Sequence, residues 1–460
     1  MLGESWYGVY FSGKQKCGFA KIVLRKEKWA GEDAYVFKMG VLAEFDMGGP
    51  PQKMIIRQFR YYKLTGGLLG IETTVSSVLD KTTTRCEVKG DKLLMASTTA
   101  GHTTRKEVPA PDESLTSLLA GRRLIREEKI GATMKFSVFE STLSKSITVT
   151  SKLQKIEERV VNGVKVRIAM VETEFGAFGM KSQDHLTMDG DLLETTVGGF
   201  LTLRKEPKDV AKDVKAAFDA IRAGLIPVKK KLGDPEEVVS LKLRLSGVRR
   251  RNALIDDVRQ RYERGEGPDA KHTVTLKTAE PPAKPLALPI KLGPGEKEFA
   301  KWLVPSELVQ SDAPEIIKMA KKIIGDEKDS FKAASKIQAW VYENVEKRYL
   351  AAMSNAVGVL KKMQGDCSEH SVLFVALCRA AGIPAREAIG IGYSDAMGAF
   401  GYHAWGEVYV GKWVAMDPTW GENLADATHV KFGLGGTESV GAIAGLFGSL
   451  KIEVLDVKRK

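Results

Sequence analysis

Only four cysteines occur in 460 residues, Cys17, Cys86, Cys367 and Cys378, at irregular spacings and with no C-x-x-C pair. That excludes a disulfide framework and a structural zinc site. On a shared helix Cys367 and Cys378 would lie about 16 Å apart along the axis, beyond disulfide reach. Cys17 and Cys86 either bridge two strands or remain two buried free thiols. No stretch approaches the ~20 consecutive apolar residues of a membrane helix. The opening Met1-Leu2-Gly3-Glu4-Ser5-Trp6 runs directly into strand-like sequence, without a charged, apolar and small-residue leader. A soluble chain is expected, either cytoplasmic or periplasmic/secreted after removal of a signal. Dense basic stripes interleaved with aromatics are lacking too. The 70 basic and 58 acidic residues give a formal +12, yet the basic side chains are spread out, with only short clusters such as Lys229-Lys230-Lys231 and Arg249-Arg250-Arg251. No nucleic-acid partner is expected; the clusters read as solvated surface, with attraction to acidic partners as the alternative. Internal repeats and low-complexity tracts are absent, the irregular Gly- and Ala-rich segment Gly433 to Gly448 reads as a loosely packed tail, and nothing in the sequence indicates an oligomeric state.

What is present changes character along the chain. From Tyr7 to about Leu203, short alternating runs rich in Val, Ile, Thr, Tyr and Phe are divided by Gly, Asp and Lys turns, a pattern of antiparallel strands. Strands are predicted at Tyr7 to Phe11, Phe19 to Arg25, Ala34 to Phe45, Met54 to Leu64, Gly70 to Val78, Ser146 to Ile156, Val160 to Glu172 and Leu192 to Leu203. So many in succession imply a barrel or sandwich. A short helix is predicted around Glu113 to Leu119 and another over Lys208 to Ala223. The organisation expected is a β-rich N-terminal domain over 1–207, a helix plus a small β-containing middle region over 208–279, a Pro-rich linker over 280–295 and an α+β domain over 296–460. The linker assignment rests on five prolines between Glu280 and Pro294, which no helix accommodates throughout. In the last domain, Ala313 to Ile324, Asp329 to Glu346 and Cys367 to Ala381 have helical length and period, with Asp312 and Asp329 as N-caps, and strands follow from Ala385.

Chemistry concentrates in that domain. A thiol nucleophile needs a lowered pKa, a base within hydrogen-bond reach and a third group that orients the base. Gly365-Asp366-Cys367 is followed by a helix-compatible run ending at Gly382 and Pro384, so Cys367 falls in the first helical turn, where free N–H groups and the dipole favour thiolate. The Cys367 N–H itself could face a developing oxyanion. Downstream, Tyr402 to Val410 and Trp413 to Asp417 read as a hairpin, stopped by Pro418. With a two-residue turn at Gly411-Lys412, Asp417 would pair with Gly406 and point away from the face that carries His403 and Trp405. A bulge or three-residue loop pairs Asp417 with Trp405 and restores the common face. An irregular hairpin is therefore predicted, and His403 and Asp417 meet only if it exists.

The runs GDCSEHSVLFVALCRAAGIPAR (Gly365 to Arg386), YHAWGEVYVGKWVAMDPTWG (Tyr402 to Gly421) and DATHVKF (Asp426 to Phe432), in this order and spacing, resemble the core of bacterial transglutaminase-like proteins with a papain-like triad. With the upstream helix that carries Ile337, Trp340 and Val341, the resemblance covers about Ala300 to Leu455. It implies an α+β papain/transglutaminase-like fold in which Cys367 is the nucleophile, His403 the general base and Asp417 the residue that orients it. It also implies acyl capture from a protein or peptide substrate, without a metal or organic cofactor. The sequence departs from the animal cross-linking enzymes in having no obvious calcium-binding loop. Hydrolysis, as a cysteine protease or amidase, and amine transfer, as a transglutaminase, are both compatible with it, and a non-catalytic binding or scaffolding protein that keeps the fold is the alternative from another class.

Other residues carry weaker signals. Trp405, Trp420, Tyr402, His370 and Asn355 are candidates to line a substrate cleft. Trp405 and Trp420 serve equally as core and wall, Ser354 and Asn355 as a helix cap or an oxyanion donor, and Glu407 as a supporting or exposed residue. His370, three residues from Cys367, would suggest a metal pair only with further ligands nearby, which its run lacks. His429 follows the motif closely enough to line the site. Cys378 reads as helix-face packing, and His102, His185 and His272 need no function.

Overall fold

A computed structural model describes residues 3–11, 13–48, 50–77, 81–141, 144–161, 163–176, 180–215, 217–248, 253–267, 270–349, 354–435 and 445–460. The Arg249-Arg250-Arg251 cluster and most of the Gly- and Ala-rich tail lie outside these residues. The chain divides into two compact units, Met1–Ala220 and Ile221–Lys460. Among the described residues no helix is long and apolar enough to cross a membrane.

The first unit is built on one large antiparallel sheet. Successive strands pair from Gly3–Phe11 outward to His102–Pro109 on one flank and from Leu201–Lys205 back to Thr133–Glu140 on the other, and Gly3–Phe11 pairs with Leu201–Lys205 to join the flanks. Among the described residues the two terminal strands are not paired with each other. The sheet curls nonetheless, because Arg60 on one flank donates to the Phe139 carbonyl on the other at 3.0 Å. Glu113 locks that contact: buried, it accepts from Arg60 Nη1, the Tyr62 hydroxyl and the Phe139 N–H at 2.8, 2.6 and 2.7 Å. A paired and fully hydrogen-bonded carboxylate is the form in which a buried charge is tolerated. The unit encloses a cavity of about 970 Å³, with Tyr7, Phe37, Val149, Val171 and Leu192 among its lining residues. Cys17 and Cys86 are both buried and not joined in a disulfide, the second of the two alternatives.

Several predicted elements change here. The single run Leu192 to Leu203 is two strands, Leu192–Val197 and Leu201–Lys205, because Gly198 and Gly199, with φ of +63° and +82°, form a tight hairpin turn. The predicted 208–223 helix is broken into Lys208–Lys212 and a single turn at Ala220–Ala223. Between them Phe218 returns to the sheet, pairing with Phe45 and stacking on Phe11 at 3.9 Å; this burial outweighs local helix propensity. Near Glu113, the helices Leu115–Leu118 and Ala120–Arg126 replace the short one predicted.

In the second unit, helices Pro314–Ile324, Ser330–Asn344, Ala356–Lys362 and Cys367–Ala380 pack against a sheet containing Ala385–Ser394 and Ala399–Tyr409. Ile316, Ile337, Val341, Leu373, Phe374 and Leu377 are fully buried in this core, each worth about 1.5–3 kcal/mol relative to exposure. Asp329 caps its helix by accepting the Lys332 N–H at 2.9 Å. Asp312 does not cap: Ala313 occupies the N-cap, with Pro314 opening the helix, where its missing N–H costs nothing. The strands of the middle region, Val238–Ser246 and His272–Lys277, belong to this same unit. With Gln260–Glu263 and the C-terminal Lys451–Arg459 they form a four-stranded sheet, whose apolar face, with Leu241, Leu243 and Val274, is buried with Ile391, Phe400 and Phe432. The Pro-rich segment expected as a linker also lies within this unit. Leu286 donates to the Val410 carbonyl, Leu288 to that of Lys328, and Ile290 is buried. Its prolines rigidify an extended strap whose alternate leucines reach the core.

Candidate active site

Cys367 opens the helix Cys367–Ala380. Asp366 is its N-cap, accepting the Ser368 N–H at 2.9 Å, and Glu369 returns to accept the Asp366 N–H at 3.1 Å, a capping box. The second Glu369 oxygen accepts the Ser354 N–H at 2.8 Å. Burial, then the neighbouring Asp366, raises the Glu369 carboxyl well above the usual range. Cys367 is half-buried, and the Ala404 N–H, next in sequence to His403, pulls its thiol value down. Its position at the helix start is the predicted one, but its electrostatics are not. Desolvation, then Asp366, pushes the thiol well above its ordinary value, against the pull of the Ala404 N–H.

His403 and Asp417 lie on the hairpin, and the irregularity that strand parity demands is present. Tyr409 pairs with Trp413, Val408 with Val414 and Gly406 with Met416, leaving a three-residue connection, 410–412, in which Gly411 has φ +106°. Continuing the register puts Asp417 opposite Trp405, diagonal to His403. His403 Nε2 is 2.6 Å from Asp417 Oδ2. With Nε2 donating, Nδ1 is left as the basic nitrogen. The other Asp417 oxygen accepts the Thr419 and Trp420 N–H groups at 2.7 and 3.1 Å. Burial alone would raise the Asp417 carboxyl, but the His403 and His429 rings hold it far below the usual carboxylate range.

Trp420 stacks flat on the His403 ring, centroids 4.0 Å apart and planes within 10°. This packing depends on Gly392: a methyl there would fall 2.5 Å from the Trp420 ring and 3.4 Å from His403 Cδ2. Gly392→Ala is therefore expected to displace the indole and to cost about 1–3 kcal/mol. Acrylamide quenching of tryptophan fluorescence should rise in the folded variant; unchanged quenching would contradict the packing.

The remaining candidates divide. Trp420 is half-buried at the His403 ring, and Tyr402 is half-buried with its ring stacked on Phe447 at 5.2 Å. Trp405 is fully buried, so it supports the site from within and does not line a cleft. His370 is also buried, its ring nitrogens 2.7 and 3.2 Å from the Asp366 and Val345 carbonyls, and so ties the helix start to the neighbouring helix end. Asn355 is the N-cap of Ala356–Lys362, its Oδ1 accepting the Gly358 N–H at 2.9 Å. Glu407 is buried, bonded to Lys431 Nζ at 2.6 Å and to the Arg386 guanidinium at 2.9 and 2.7 Å. His429 is the residue whose importance the sequence understated: buried, it shares Asp417 Oδ2 with His403, its Nε2 3.1 Å away. Its position in the DATHVKF run was the available signal. The trios His403, Asp417, His429 and Glu422, Asp426, His429 bring donor atoms within 4.8 Å of one another, a spacing usable by a metal ion. Hydrogen bonds among these same atoms account for their proximity.

Residues 317–418 match the sequence family described as the transglutaminase-like superfamily. The chain carries a transglutaminase-like domain. Over 93 residues it is 38% identical to an uncharacterized protein of Haemophilus influenzae, covering 18% of this chain and 25% of that protein. Over 109 residues it is 30% identical to the mouse kyphoscoliosis peptidase, covering 21% of this chain and 16% of the peptidase. The chain thus spans a quarter or less of the length of these relatives. Among solved structures, a Cytophaga hutchinsonii chain provisionally titled a cysteine protease is similar at TM-score 0.33 and 18% identity, covering 48% of this chain and 86% of that one. A β-barrel-like protein from Brucella abortus is similar at TM-score 0.33 and 11% identity, covering 45% of this chain and 98% of that one.

Proposed function

We propose that the transglutaminase-like domain is a thiol acyl-transfer enzyme acting on peptide or side-chain amide bonds of a protein or peptide substrate. The observation that carries this reading is the 2.6 Å His403–Asp417 contact, on the strand whose Ala404 N–H acts on the Cys367 thiol. In this reading Cys367 Sγ adds to the amide carbonyl carbon as His403 Nδ1 takes the thiol proton, and Asp417 holds the resulting imidazolium. His403 then protonates the leaving amine, the C–N bond breaks and a thioester remains on Cys367. Water attacks it, giving up a proton to His403, in a protease or amidase; an amine does so in a transglutaminase.

Incubating the full chain with a casein substrate and a fluorescent primary amine separates the two outcomes, as fragmentation or as labelled casein. At pH about 6 to 9 one of them is expected well above the Cys367→Ala background. Neither product above that background would count against an enzyme.

A further inference from the structure

A neutral imidazole has one N–H, yet both nitrogens of His429 meet carboxylate oxygens. Nε2 lies 3.1 Å from Asp417 Oδ2 and Nδ1 lies 3.2 Å from Asp426 Oδ1, with Glu422 Oε2 at 4.0 Å. Asp417 accepts two backbone N–H groups as well, and Asp426 Oδ1 accepts that of Thr428 at 2.6 Å. Hydrogen bonds of this kind favour the ionised carboxylate, so both protons reside on the ring. The other groups facing it fit that state. Burial raises the Glu422 carboxyl to about 8 against the pull of the His429 ring, and its Oε2 accepts the Asp426 N–H at 2.8 Å. Arg259 donates to the main-chain oxygens of Asp426 and His429. The His403 ring lies 5.6 Å away. Burial would lower the His429 value, but Glu422, Asp426 and Asp417 raise it to about 10.

We propose that His429 is a positioning residue of the thiol site, a buried imidazolium clamped between Asp426 and Asp417 that fixes the Asp417 carboxylate and withdraws part of its charge from His403. This rests on the thiol acyl-transfer reading. A lone Asp417 carboxylate would act on the His403 ring with its full charge. With the His429 charge beside it, that pull is weaker.

The test is the pH dependence of iodoacetamide alkylation at Cys367, mapped by peptide mass in the full chain. In His429→Gln the cation is gone, Asp417 acts on the thiol site with its full charge, and the alkylation limb should shift to lower pH by about one unit. Asp426→Asn removes a carboxylate that keeps His429 charged, and should shift the limb in the same direction by less. A purely structural role would lower the thermal midpoint without moving the limb. Should His429→Gln not fold, Asp426→Asn carries the test. A limb that stays at the wild-type position in a folded variant overturns the inference alone. A wild-type Cys367 that never alkylates above the Cys367→Ala background sinks the thiol reading, and this inference with it.

Discussion

Asp417→Asn is expected to lower turnover by about 10³- to 10⁴-fold, the scale of loss when the orienting carboxylate of a triad becomes an amide. Asp417 accepts from His403 Nε2 at 2.6 Å, which leaves the Nδ1 lone pair for the thiol proton. An asparagine can turn its N–H₂ toward Nε2 and favour the other tautomer, with Nδ1 protonated and useless as a base. The substitution is nearly isosteric, and its carbonyl can keep accepting the Thr419 and Trp420 N–H groups. Circular dichroism should therefore stay close to wild type while turnover of an amide substrate collapses. A folded Asp417→Asn within tenfold of wild type would mean that the carboxylate does not orient the base.

Glu407→Ala should be the most destabilising change in the catalytic sheet. Burial would raise this carboxyl, but Lys431 and Arg386 bring it down to about 2. Removing it leaves Lys431, itself 1% exposed, with Asp257 as its remaining carboxylate partner, and takes from Arg386 the carboxylate that it shares with Lys431. Breaking a buried pair from one side costs about 3–5 kcal/mol, which for a unit of this size lowers the thermal midpoint by roughly 10 °C. The pH dependence has a definite sign. A carboxyl depressed from about 4.3 when unfolded to about 2 when folded contributes stability in full above pH 4 to 5. That contribution, about 3 kcal/mol, is lost as pH falls toward 2. Thermal scans of wild type and Glu407→Ala should therefore converge on acidification, and a gap that stays constant from neutral pH to pH 3 would contradict the assignment.

Local chemistry was legible in the sequence. The Cys367 helix, its start and its end follow from capping residues and periodicity, and a bulge or three-residue hairpin loop follows from strand parity once His403 and Asp417 are required to share a face. Elements stabilised only by distant partners were not legible. Lys81–Lys89, KTTTRCEVK, carries too much charge to announce a strand, yet it pairs along both edges. The 208–223 segment has helical period, but Phe218 gains more by stacking on Phe11. At the site, the thiol environment was misjudged because the helix dipole is read from position, whereas desolvation depends on what packs around the sulfur. His429 was underrated for a related reason: its two carboxylate contacts exist only after the Asp426 loop folds back onto the hairpin.

The most direct measurement is the acyl-enzyme itself. After brief exposure to p-nitrophenyl acetate, quenched in acid, peptide mapping should find one acetyl group on Cys367. It should be absent in Cys367→Ala and slow to form in Asp417→Asn. Acetylation confined to lysines, or equal in wild type and Cys367→Ala, would contradict a thioester mechanism at this site.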